Sequence, residues 1–198
     1  METMSRRLRT GTRDLHDEVE TRLGLPDSLD EPRHVHELLR RWQALFAEIE
    51  DAIGAVEGPS GPAPIAPAGL VLTVDLERLG LAVAAPPGEP VEFEGAAERA
   101  GATYVLAGSL LGVASVSRAL PDEWTDGIAF LNAAPAAGAP TMTVMRRWLD
   151  AWPATQYDQL LVGARRTFRR AGDVLGAGPW SDPLPGREQP GRVAVEVG

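Results

Sequence analysis

The chain has 198 residues and a formal net charge of −9, and 44% of its residues are hydrophobic. A length of this order predicts one domain with a single core. Cysteine is absent, which excludes disulfide bonds, thiolate metal sites and a cysteine nucleophile. Lysine is absent too, so an anion site must use arginine, histidine or backbone amides. The negative charge argues against nucleic acid as the main partner.

The hydropathy pattern predicts a cytoplasmic protein without a membrane span. No apolar run in the sequence approaches the roughly 20 residues that a membrane-spanning helix needs. The N-terminal segment METMSRRLRTGTRDLHDEVE is polar and lacks the apolar core of a secretory signal.

The first half of the chain predicts two long helices. Apolar residues recur every three or four positions from about Ser5 to Leu23, and Gly24 then ends the pattern. Pro32 suits the first turn of a second helix, whose broad apolar stripe continues to Ile53. The segment GPSGPAPIAPAG that follows is rich in proline, which predicts a loop.

The second half predicts further helices and then a tail. The expected helical segments are 70–81, Ala96–Ala119, Trp124–Leu131, Met142–Ala151 and Gln156–Leu175. Residues 176–198 are rich in glycine and proline. We therefore expect an all-α, single-domain fold over residues 1–175 and a flexible tail over residues 176–198.

His16 stands at the edge of the apolar stripe of the first helix. At about 100° per residue from Leu8, His16 lies at about 80°, and Arg9, Glu20 and Arg13 follow at about 100° to 140°. A histidine at this boundary can reach into a cavity, and the two arginines can pair with carboxylates at its mouth. Glu20 is placed to accept a hydrogen bond from the other ring nitrogen. The plain alternative is a half-buried histidine beside a solvated, charged helix face.

The other two histidines, His34 and His36, lie near the start of the second helix. Two residues apart on a helix, they point to opposite sides and form a poor metal pair. We expect both at the surface.

Two glycines interrupt the otherwise apolar third helix. Each interior glycine costs about 1 kcal/mol relative to alanine. Gly108 and Gly112 are four residues apart and share a face, which Ser115 continues. Such a face serves either close helix packing through small residues or the close approach of a flat ligand to the backbone.

Two segments of the chain, in this order, resemble the heme oxygenase family. LRTGTRDLHDEVETRL is similar to the proximal helix of heme oxygenases, in which a histidine follows a Leu-Arg-x-x-Thr pattern. YVLAGSLLG resembles the distal-helix motif of the bacterial branch, Tyr-Val-Leu-x-Gly-Ser-x-Leu-Gly-Gly. Weaker similarity in the other helices extends the resemblance over about residues 5–175.

The resemblance implies a heme oxygenase-like helical bundle with heme held between the first and third helices. His16 would be the proximal iron ligand, supported by Glu20. Gly108, Ser109 and Gly112 would form the distal side, where oxygen binds. The residues implied for the heme propionates are Arg9 and Arg13, with Arg165, Arg166 or Arg169 from the last helix.

The reaction that the resemblance implies is oxidative cleavage of heme to biliverdin, carbon monoxide and ferrous iron. Heme would be both cofactor and substrate, and the partners would be molecular oxygen and an electron donor such as a ferredoxin or flavin reductase. Val113 stands where the motif has its second glycine, which puts a branched side chain near the heme. Ser109 stands where animal-type enzymes have an aspartate, as it does in the bacterial branch.

Four other functions fit the sequence less fully. A non-catalytic heme-binding or heme-sensing protein on the same fold is the first alternative, since Val113 bears on turnover. A thiaminase-like relative would need a cysteine, and none exists. A di-iron oxidase would need histidines on several helices, whereas all three lie before residue 37. A helical interaction module without a ligand leaves the glycine helix less well explained.

Overall fold

The structure, a computed structural model, describes residues 2–65 and 67–176. Within these residues the chain forms eight α-helices: α1 (Met4–Gly11), α2 (Arg13–Leu23), α3 (Pro32–Ile53), α4 (Gly69–Arg78), α5 (Gly95–Ala119), α6 (Asp122–Thr125), α7 (Ala129–Asp150) and α8 (Tyr157–Leu175). A short antiparallel pair, β1 (Glu57–Gly58) and β2 (Gly61–Pro62), lies in the predicted proline-rich loop. The expected all-α, single-domain class is confirmed. Apart from Gly176, the expected tail lies outside the described residues.

The predicted first helix is divided at Thr12, so a single helix over Ser5–Leu23 is wrong. Thr12 has φ −116° and ψ 0° and separates α1 from α2. Its side chain is buried, and its hydroxyl donates to the Leu8 carbonyl at 2.8 Å. This bond satisfies the hydroxyl inside the fold. Gly24 ends α2 in the left-handed conformation, as its position in the sequence predicted.

α7 is one helix of 22 residues, and the prediction of two short helices at Trp124–Leu131 and Met142–Ala151 is wrong. Pro135 and Pro140 lie inside it, although each interior proline removes a backbone hydrogen bond. The helix persists because one stripe of side chains stays buried across both prolines. The buried residues of this stripe are Phe130, Leu131, Ala134, Gly138, Met142, Met145, Trp148 and Leu149.

α5 lies at the centre of the fold and packs most extensively against α7 and α8. By length and composition it could cross a membrane, which the sequence pattern did not indicate. However, 61% of its most apolar 18-residue window is buried inside the fold. A core helix of a globular domain has the same properties.

Two glycines allow α5 and α8 to cross at backbone contact. A Cβ atom on Gly101 would overlap the Leu160 carbonyl oxygen and lie 2.9 Å from the Ala164 nitrogen. A Cβ atom on Gly163 would overlap the Glu98 carbonyl oxygen. The obstructing atoms are backbone, so no side-chain movement can relieve these overlaps. The crossing therefore requires glycine on both helices.

The substitution Gly101→Ala tests this crossing. We expect it to lower the free energy of unfolding by about 1–3 kcal/mol or more, because an added methyl group must push two helices apart. The matched control is Gly112→Ala on the same helix, where an added Cβ meets nothing within 4 Å. There the better helix propensity of alanine should raise stability by up to about 1 kcal/mol. Equal effects in urea unfolding followed by circular dichroism would contradict the proposed contact.

Candidate functional site

A cavity of about 900 Å³ separates α1 and α2 from α5. Trp42 from α3, Met142 from α7 and Phe168 from α8 complete its walls. This volume lies in the usual range for small-molecule sites, which combine apolar walls with a few polar groups. The two helices with candidate residues in the sequence, the His16 helix and α5, thus line the same cavity.

His16 lines this cavity from α2, with about half of its side chain exposed. Its Nδ1 lies 3.4 Å from Oε2 of Glu20 and 3.8 Å from Oδ1 of Asp17. Phe168 packs edge-on against the imidazole ring, with 5.8 Å between the centroids. Within the described residues, Nε2 has no hydrogen-bond partner. The ring therefore turns Nδ1 toward two carboxylates of its own helix and leaves Nε2 for a ligand.

The glycine-containing part of α5 forms another wall of the cavity. Added Cβ atoms on Gly108 and Gly112 would meet nothing within 4 Å, so neither glycine serves helix packing. Ser109 lines the same cavity, but its hydroxyl donates to the Val105 carbonyl at 2.9 Å. Val113 also lines the cavity and is almost fully buried. Of the two interpretations of these glycines, the structure favours open space for a ligand.

Arg9 and Arg13 line the cavity as the sequence predicted, and the structure adds Arg6 and Arg146. Arg13 lies 3.7 Å from Asp17, and Arg6 lies 3.8 Å from Glu2. Among the described residues, no carboxylate lies within 4.0 Å of Arg9 or Arg146, so their charges are available to an anionic ligand.

The arginines of α8 do not reach the cavity. Arg165 forms two hydrogen bonds of 2.7 Å with Asp14, whose pKa this interaction holds below its usual value. Arg166 donates to Glu98 at 2.6 Å. Arg169 is exposed and does not line the cavity. The structure thus brings His16, Glu20, Arg9, Arg13 and the α5 residues together and leaves the α8 arginines apart.

Tyr104 is a cavity residue that the sequence analysis did not select. Burial raises the pKa of its phenol above the ordinary value of 10.0, and the positive charges of Arg146 and Arg9 oppose this rise. At neutral pH the phenol is therefore protonated. Its hydroxyl has no partner among the described residues, so it can donate a hydrogen bond to a ligand beside the two arginines.

Two of the missed residues, Tyr104 and Arg146, differ in the signal that the sequence offered for them. Tyr104 lies four residues before Gly108 and therefore on the same helix face, so helical periodicity could have found it. Arg146 comes from α7, whose path past two prolines the sequence did not reveal. No comparable signal pointed to it.

Both remaining histidines differ from their predicted surface positions. His34 is buried, and its Nδ1 lies 2.7 Å from the Asp30 carboxylate. His36 is half-buried, and desolvation lowers its pKa. Neither lines the cavity. The prediction failed for His34 because it lies four residues before Leu38 and thus on the buried stripe of α3.

Comparison of the chain with protein-family models, with curated proteins and with solved structures finds no match. The conclusions about the site therefore depend on its own geometry.

The neighbourhood of Tyr104 can be tested by phenol titration in a Tyr157→Phe background, which leaves a single tyrosine. We expect this tyrosine to titrate above pH 10.0. Arg146→Gln should raise its pKa further, because a nearby positive charge favours the phenolate. Arg147→Gln is the matched control, since Arg147 is exposed and does not line the cavity. If the phenolate absorbance shows the same pKa for Tyr104 with and without Arg146→Gln, Arg146 does not lie near Tyr104.

Proposed function

We propose that this protein is a heme oxygenase that binds heme in the cavity between α2 and α5. The observation that carries the proposal is the juxtaposition of His16 with the side-chain-free face at Gly108 and Gly112. These elements come from segments about ninety residues apart, and they line one cavity of suitable size. The histidine can ligate the iron of a flat iron complex, and the glycine face leaves room for its macrocycle.

The residues of the cavity fit a heme. Neutral imidazole is a common iron ligand, and Nε2 of His16 is the ring nitrogen without a protein partner. Glu20 beside Nδ1 stabilises the tautomer that carries its proton on Nδ1, and this leaves the Nε2 lone pair for iron. The space in front of Gly108 and Gly112 admits a flat macrocycle close to the α5 backbone.

The polar groups of the cavity fit the two carboxylates of heme. Arg9 and Arg146 offer charge and donors without a carboxylate partner, and Tyr104 lies close enough to both for their charges to act on its phenol. We assign carboxylate binding to these residues with Arg13, in place of Arg165 and Arg166, which Asp14 and Glu98 neutralise.

When bound, heme supplies the oxygen chemistry that opens its own ring to biliverdin, carbon monoxide and ferrous iron. The chain holds and orients the macrocycle through His16 and the arginines. The walls formed by Trp42, Val105 and Met142 exclude water from part of the cavity. Molecular oxygen and an external electron donor, such as a ferredoxin or flavin reductase, complete the reaction.

The decisive experiment titrates purified apoprotein with hemin and records the absorption spectrum. We expect stoichiometric binding with an imidazole-ligated Soret band. His16→Ala should abolish this ligand signature, and free imidazole should restore it. His36→Gln is the control, because His36 does not line the cavity. An unchanged spectrum in His16→Ala would falsify the ligand assignment.

A heme-binding protein without turnover is the second candidate, and buried Val113 is the observation that favours it. Its branched side chain occupies space beside Gly112 that a glycine would leave open. Oxygen and a reductant should convert the wild-type heme complex to biliverdin and carbon monoxide. A stable complex in the wild type, with biliverdin formed only by Val113→Gly, would instead identify Val113 as the block.

A further inference from the structure

Three ligand-bearing side chains gather on the cavity side of α2. They are His16, Asp17 and Glu20, and one potential ligand atom from each lies within 4.8 Å of the others. All three line the cavity. Only the Glu20 contact enters the proposed function, where the carboxylate lies beside Nδ1. The Asp17 carboxylate has no role there.

The spacing of the His16 and Glu20 atoms matches the coordination sphere of a small divalent cation, and the Asp17 oxygen lies near it. Two ligands bound to a tetrahedral zinc ion at about 2.1 Å lie about 3.4 Å apart. Nδ1 of His16 and Oε2 of Glu20 are separated by 3.4 Å. Asp17 Oδ1 is 3.8 Å from the same nitrogen and needs only a small rotation to join them. Imidazole nitrogen and carboxylate oxygen are both ligand types that Zn²⁺ and Fe²⁺ bind.

The orientation of the ring provides an independent argument. Phe168 packs edge-on against His16 from α8 and holds the plane of the ring, and in this plane Nδ1 faces the carboxylates of Asp17 and Glu20. A cation therefore meets a nitrogen that is already turned toward its other two ligands. Arg13 opposes binding, since it lies 3.7 Å from the second Asp17 oxygen. The site is accordingly exchangeable and not a permanent structural site.

We propose that His16, Asp17 and Glu20 bind a divalent transition-metal cation, and that this cation competes with heme for His16. A neutral imidazole has one lone pair and one N–H group. A cation on Nδ1 moves the proton to Nε2, so Nε2 cannot ligate the heme iron at the same time. The competition rests on the proposed function, whereas the cation site does not. Ferrous iron released by heme cleavage would be a cation of the right class, which would make the site a point of product feedback.

The cation site is tested on apoprotein with Zn²⁺ as the probe, by isothermal titration calorimetry without heme. We expect one saturable site in the wild type. Asp17→Asn and Glu20→Gln should each weaken Zn²⁺ binding by about tenfold or more. Glu18→Gln is the matched control, because Glu18 is an exposed carboxylate on the same helix that does not line the cavity. Undiminished Zn²⁺ binding in both Asp17→Asn and Glu20→Gln overturns the site.

The competition is tested by repeating the hemin titration with and without saturating Zn²⁺. In the wild type, Zn²⁺ should lower the apparent hemin affinity and suppress the imidazole-ligated spectrum. In Asp17→Asn, the same Zn²⁺ concentration should have a much smaller effect, while hemin binding without Zn²⁺ stays within about threefold of the wild type. An unchanged hemin affinity at Zn²⁺ saturation overturns the competition. Failure of hemin to bind at all refutes the proposed function, and the calorimetric result still decides the cation site.

Discussion

The crossing of α5 and α8 at Gly101 and Gly163 is the constraint on which the geometry of the cavity depends. Each glycine faces the carbonyl backbone of the other helix, so this crossing has no room for a side chain. Two turns further along α5, Gly108 faces open space instead. The same helix therefore uses glycine for contact at one end and for clearance at the other. α8 in turn places Phe168 against His16, which links the crossing to the site.

Side chains from other helices fix the beginnings of helices that lack local caps. The buried Asp75 of α4 accepts hydrogen bonds from the Ala129 and Phe130 amides at the start of α7. Glu50 of α3 does the same for the start of α4, and burial raises its pKa despite these bonds. The buried pair of Glu48 and Arg170 holds the loop before α5 through backbone groups. Removing one partner of such an interaction would leave a buried polar or charged group unpaired, which is costly. These buried carboxylates therefore help to specify where the helices begin.

Helical periodicity predicted α3, α5 and α8 well, because the buried stripe of each belongs to one helix without an interior proline. Pro32 and Gly24 also marked real ends, since each acts through its own backbone conformation. The prediction failed where distant contacts decide the outcome. α7 continues through Pro135 and Pro140 because its stripe of side chains is buried by other helices, and Asp75, more than fifty residues earlier, caps its start. Its unbroken apolar stripe was visible in the sequence, but the prolines outweighed it in a local interpretation.

The charge distribution explains why sequence reasoning placed some of the arginines correctly and others wrongly. His16, Glu20, Arg9 and Arg13 lie within a few turns of chain, so their common location follows from local periodicity. The roles of the other arginines depend on partners that only the fold brings near them. Arg165, Arg166 and Arg170 are neutralised by Asp14, Glu98 and Glu48. Other described arginines, such as Arg78 and Arg147, also have no carboxylate within 4.0 Å, so an unpaired arginine is informative only where it lines the cavity. Arg9 and Arg146 meet this condition, and both lie at the same cavity. A ligand that carries carboxylates would supply the charge that the protein does not.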